Sequence, residues 1–192
     1  MLYIKQLCLI IFLIITVLFT VGYASQPIIE TSQLTQAPTN PDGTPSSSAS
    51  KVSSSFYVGK VSRIISNSQS TYSSSNDYSS VSNNLNVIFQ TLLYACIATT
   101  ILLVAGVLLG HFGLKMISKL VFLIAMVLMI GVFLVIQIVI LADSFISNMK
   151  SNGLTGLGNL GSISTSNGTG YYLILAATVL MVANYIIYII LA

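Results

Sequence analysis

The chain has 192 residues, of which 55% are hydrophobic and 6% charged, with a mean hydropathy of +0.91 and a formal net charge of +3. Soluble domains carry about 25% charged residues, so this composition excludes a chain that covers itself with a water-facing polar surface. The apolar residues are also gathered into blocks, the pattern of segments dissolved in lipid.

The first block is Leu7 to Val21, "LCLIIFLIITVLFTV", 15 residues long. As a helix it reaches about 22 Å. It follows "MLYIKQ", with Lys5 as the single charge, and runs into "VGYASQP". Gly22 and Ala24 then occupy positions −3 and −1 of a cut after Ala24, which predicts a secretory signal peptide over residues 1–24. The other reading of 1–24 is an N-terminal anchor. Cleavage leaves three spans in a chain that starts near Ser25; retention gives four.

Residues 25–86 form an extracytoplasmic Ser/Thr/Pro-rich segment. The stretch 31–55, "TSQLTQAPTNPDGTPSSSASKVSSS", has too little apolar content to offset the entropy of ordering it, so disorder is expected. It reads equally as an O-glycosylated stalk or as a plain tether. "SFYVGKVSRIIS", Ser55 to Ser66, is dense in aromatic and β-branched residues and predicts a short β-hairpin near 55–66, turning at Gly59-Lys60. Two strands alone are marginal in water and need a partner surface. Val81, Leu85, Ile88 and Leu92 keep helical spacing, so the next helix is expected to begin a turn or two before the membrane.

Residues 87–142 predict a transmembrane helical hairpin. Its arms are Val87–Leu109 and Leu120–Ala142, and the last block, Tyr171–Ala192, predicts a further span. Each is 22 or 23 residues long and contains no Asp, Glu, Lys, Arg, His or Pro. A helix of that length covers about 33 Å, enough to cross a hydrocarbon core of about 30 Å with some tilt. The turn between the hairpin arms, 110–119, holds His111, Lys115 and Lys119. Between the hairpin and the last span lies a Gly/Ser-rich loop, 143–170, with six glycines from Gly153 to Gly170. Its run "GLTGLGNLG" reads as a flexible loop; a re-entrant segment would place irregular backbone in lipid.

Lysine placement sets the orientation, because short basic loops stay in the cytosol. Lys5 puts the N-terminus inside, residues 25–86 outside, and the Lys115/Lys119 turn inside. The outer segments then balance four basic against four acidic residues, and the inner side carries the whole +3. This predicts a multi-pass protein of the plasma membrane or a viral envelope, with 25–86 and 143–170 outside and the C-terminus cytoplasmic. The one N-glycosylation sequon, Asn167-Gly168-Thr169, falls on the outer side.

Catalytic chemistry finds little support. A lone His111 with no neighbouring carboxylate or thiol supplies neither a metal site nor an oriented base, so it reads as a boundary residue of the turn. Cys8 and Cys96 fall in the apolar blocks, which gives the outer segments no disulfide framework. No carboxylate lies within a span, against the habit of ion-coupled transporters. No cofactor, metal or nucleic-acid partner is expected.

The remaining features point to helix packing. Gly106 and Gly110 form a GxxxG pair, a spacing that lets helix backbones approach closely. Gln90, Gln137 and Asn184 are the in-span amides. Gln137 lies about 8 Å and Asn184 about 20 Å from the outer face at 1.5 Å per residue, too far apart in depth to pair, so Gln90 is the expected partner of Gln137.

The expected fold is an all-α polytopic membrane protein, a bundle of three or four transmembrane helices with a mostly disordered Ser/Thr-rich extracytoplasmic segment. A long first outer loop, a short basic inner loop and a shorter second outer loop make the four-span layout similar in outline to claudin-like tetraspan proteins. The first loop has no Trp and no Cys pair, so the resemblance is one of topology and implies no function. The expected role is non-enzymatic: a self-associating or partner-binding component of a cell surface, envelope or secretion apparatus. Its partners would be the lipid bilayer and further membrane proteins or copies of itself. The alternative is an oligomeric pore or membrane-active toxin, lined by Thr99, Thr100, Gln137 and Asn184.

Overall fold

The computed structural model describes residues 2–35, 50–58, 61–66, 71–76, 83–141 and 163–191. In chain order these form α1 (Leu2–Ala24), β1 (Ile29–Thr35), β2 (Ser50–Phe56), β3 (Val61–Ser66), β4 (Thr71–Asn76), α2 (Asn83–His111), α3 (Lys115–Leu141), β5 (Ile163–Asn167) and α4 (Thr169–Leu191). The structure is mostly helical, and α1 to α4 are each long and apolar enough to cross a membrane. In a helix every backbone group within such an apolar segment finds its hydrogen-bond partner inside the segment itself.

The helices close into a ring, with α1 packed on α2 and α4, and α3 packed on the same two. The interior is filled by Phe12, Ile15 and Phe19 from α1, Cys96 and Leu103 from α2, Phe122 and Met129 from α3, and Ile174, Met181 and Tyr188 from α4. Outward faces carry aliphatic side chains such as Ile101, Val127, Ile138 and Val179. In water that surface would be a severe liability; against lipid it is the ordinary exterior of a span.

Chain geometry joins α2 to α3. Leu114 N–H donates to the Leu109 carbonyl at 3.0 Å and Gly113 N–H to the Gly110 carbonyl at 3.3 Å. That pair of bonds is a Schellman ending of α2. It needs a left-handed residue, supplied by Gly113 at φ 86°. Lys115 then opens α3 after a three-residue turn.

The Ser-rich segment after α1 differs from the expectation. The strands make one five-stranded antiparallel sheet in the order β4-β3-β2-β1-β5. Strands occupy 29–35 and 50–56, inside or beside the stretch whose composition predicted disorder, and the class is accordingly helical with a sheet rather than all-α. The turn at Gly59-Lys60, most of the 143–170 loop and residues 36–49 lie outside the described residues. The physical reason for the difference is β5. It comes from the segment between α3 and α4 and pairs Ile29 with Asn167 and Glu30 with Ser166, giving β1 a second neighbour that no local pattern announces. A sheet of five strands on a packed base escapes the marginal stability of an isolated hairpin.

That base is apolar. Ile28, Ile29, Phe56 and Val58 are buried and continuous with the helical core. Ile28 N–H donates to the Phe56 carbonyl at 2.7 Å, extending the β1–β2 ladder down to the end of α1.

Candidate functional site: the packing centre of the helix ring

All four helices meet at one aromatic centre. Phe12 of α1 stacks on Phe122 of α3 with centroids 3.8 Å apart and planes 17° apart. Tyr188 of α4 meets both rings edge-on at 5.6 Å, an arrangement that suits the ring quadrupoles. From α2 comes Gly106. A Cβ built there would lie 2.7 Å from the Phe122 ring, so only a bare backbone leaves room for the stack.

Polar groups surround this centre, and most of them have partners. Ser118 Oγ donates to the Gly106 carbonyl at 2.8 Å and lies 3.2 Å from the Tyr188 hydroxyl. Gly110 sits one turn further along, where a Cβ would meet Leu9 at 2.8 Å and Ser118 Oγ at 3.0 Å. The GxxxG pair therefore faces this chain's own ring. Small residues at that spacing serve to bring α2 close to α1 and α3.

The in-span amides separate. Asn184 is buried and its Nδ2 donates to the Cys8 carbonyl at 3.0 Å, tying α4 to α1. Its Oδ1 has no partner among the described residues. Gln137 Nε2 donates to the Tyr171 hydroxyl, linking α3 to α4. Gln90 is exposed on α2, so the expected Gln90–Gln137 bond is replaced by one to Tyr171. Sequence reasoning missed Tyr171 because a tyrosine at a span end reads first as an interfacial residue.

At the other end of the ring, Lys119 Nζ donates to the Ile189 carbonyl at 3.3 Å and lies 5.9 Å from the Tyr188 ring centroid. A cation there satisfies a late carbonyl of α4 and complements its dipole. The Tyr185 hydroxyl donates back to the Lys119 carbonyl at 3.3 Å. Lys5, His111 and Lys115 lie toward the same end, and His111 is exposed with its ring 6.0 Å from Phe112. Toward the sheet, the Thr100 hydroxyl of α2 contacts Tyr23 at 3.3 Å and Thr20 at 3.5 Å on α1. Thr99, Thr16 and Thr178 return their hydroxyls to the carbonyl four residues back, which gives each buried hydroxyl a partner within its own helix.

Asn167 of the sequon ends β5 and is exposed, and Thr169 opens α4. Among the described residues no three of His, Cys, Asp and Glu come together, and both cysteines are free and buried. A groove of about 500 Å³ opens between α2 and α3, lined by Val87, Leu92, Val127, Gly131 and Val135 among others. No protein-family model matches the chain, and no characterised protein matches its sequence.

Proposed function

We propose that the protein is a non-enzymatic multi-pass membrane scaffold that holds an extracellular sheet rigidly on a helix ring and binds membrane partners, or further copies of itself, through its lateral faces. The observation that carries this reading is the filled centre formed by Phe12, Phe122 and Tyr188. Those rings leave a packed ring interior, which suits a structural role. Thr99 and Asn184, two of the groups that would line a pore between copies, are buried inside this chain's own ring. They would be unavailable to such a pore.

In this reading the lysine end of the ring faces the cytosol and the sheet faces outward, an orientation supported by the distribution of basic residues. The protein then serves as a component of a cell surface, envelope or secretion apparatus. Its Ser/Thr-rich outer segments and Asn167 are available to carry sugars.

Liposome leakage tests the proposal. Purified protein reconstituted at defined protein-to-lipid ratios should leave an entrapped dye and an ion gradient intact. Release scaling with the amount of a defined oligomer would favour the pore or toxin instead.

A further inference from the structure

We infer that residues 1–24 stay in the mature protein as a permanent span, clasped to α4 across the Ala24–Ser25 bond, and are not removed as a leader. The inference concerns processing and is independent of whether the ring conducts.

Four observations support it. First, the bond that the sequence pattern marks for cutting joins the last residue of α1 to a turn residue; both are exposed, but the backbone there is still hydrogen-bonded to the helix. Helix α1 runs through Ala24, and both the backbone N–H and the Oγ of Ser25 donate to the Val21 carbonyl, at 3.1 and 2.9 Å. Proteolysis favours weakly bonded loop tips, and the two bonds to the Val21 carbonyl anchor this end to the helix. Gly22, the residue at position −3, is buried; a Cβ there would lie 3.1 Å from both Leu173 and Ile174.

Second, the two chain passes are joined backbone to backbone where they leave the ring. Gly170 N–H donates to the Pro27 carbonyl and Gly168 N–H to the Ile28 carbonyl, each at 2.8 Å. A Cβ on Gly170 would come within 2.5 Å of the Gly22 carbonyl oxygen, so no other residue fits there without displacement. The β1–β5 ladder continues the same contact outward from Ile29 and Asn167. Helix, clasp and ladder are one continuous seam with α1 as half of it.

Third, α1 supplies Phe12, Ile15 and Phe19, all fully buried, to the shared core. Without them Phe122 loses its stacking partner and the ring has an open side. Fourth, among the described residues the buried Asn184 amide bonds to the Cys8 carbonyl and its Oδ1 has no partner. Removing α1 leaves that amide unbonded in an apolar interior, which is costly.

The test uses the full chain with a C-terminal tag, expressed in cells with an active signal peptidase and extracted in detergent. The intact mass should correspond to a chain beginning at residue 1 or 2. A mass corresponding to a start at Ser25 overturns the inference. The clasp is read separately by comparing Gly22→Leu with Gly131→Leu, at an exposed groove position where an added Cβ meets nothing within 4 Å. Gly22→Leu should lower the Tm in detergent by roughly 4–10 °C, and Gly131→Leu should leave it nearly unchanged. Equal Tm values for Gly22→Leu and the native protein would overturn the clasp. Leakage activity moves neither readout, so failure here is distinguishable from failure of the scaffold role.

Discussion

Phe122 occupies the space that a side chain on Gly106 would need: a Cβ there would stand 2.7 Å from one ring carbon and 2.9 Å from the next. The ring cannot withdraw, because its opposite face lies on Phe12 at 3.8 Å. Gly106→Ala should therefore destabilise the protein by about 1–3 kcal/mol, the usual cost of forcing extra atoms into a packed interior. Gly131→Ala faces open space and should be neutral or stabilising by up to about 1 kcal/mol from helix propensity. Thermal unfolding in detergent, followed by circular dichroism, compares the two.

Asn184 separates the value of one hydrogen bond from the cost of a buried charge. Asn184→Leu loses the bond to the Cys8 carbonyl, worth about 0.6 kcal/mol in a membrane, and also removes the unpartnered Oδ1. Its stability should change little. Asn184→Asp places a carboxyl group in the same apolar site and should cost about 2.5–3.5 kcal/mol. Denaturant titration of both variants in one detergent ranks them.

Gly113 is the hinge of the lysine-bearing turn, and its φ of 86° lies where side chains clash with the backbone. A Cβ built there meets nothing within 4 Å beyond its chain neighbours, so a substitution tests conformation above all. Gly113→Val should cost roughly 1–2 kcal/mol. Gly113→Asn should cost less, because Asn tolerates the left-handed region. The difference between the two variants in thermal midpoint is the measurement.

Much of this architecture was legible in the sequence, and the illegible parts share a cause. Length and the absence of charge marked out the segments that form four helices long and apolar enough to cross a membrane. The Gly106/Gly110 spacing drew attention to the face that now holds Phe122 and Ser118. The sheet was hidden because Ser-rich strands lack strong alternation, and because Ile29 finds Asn167 from the far end of the chain. Gly168 and Gly170 looked like loop residues with a sequon, yet they make the seam with Pro27 and Ile28. Phe12, Tyr188 and Ser118 are ordinary span residues by composition, and only packing singles them out.

The sheet register has its own test. Glu30 and Ser166 are both exposed and are partners across β1 and β5. Neighbouring antiparallel partners have Cα atoms about 4.5–5.5 Å apart, within reach of a disulfide. The double variant Glu30→Cys/Ser166→Cys should cross-link on mild oxidation. Ser55→Cys/Ser166→Cys, two strands apart at about 9–10 Å, should not. Mobility on non-reducing gels reads the outcome, and cross-linking of the second pair with none of the first would contradict the strand order.

The central claim is that the helices cross a bilayer with the α2–α3 turn on the cytosolic side and the sheet on the other. Both native cysteines are buried, so single thiols introduced at Met116, 82% exposed beside the turn, and at Ser166 at the base of the sheet report on each side. With a membrane-impermeant maleimide on intact cells, Ser166→Cys should label at once and Met116→Cys only after permeabilisation. Labelling of Met116→Cys in sealed cells, or of both positions from the same side, would contradict the account.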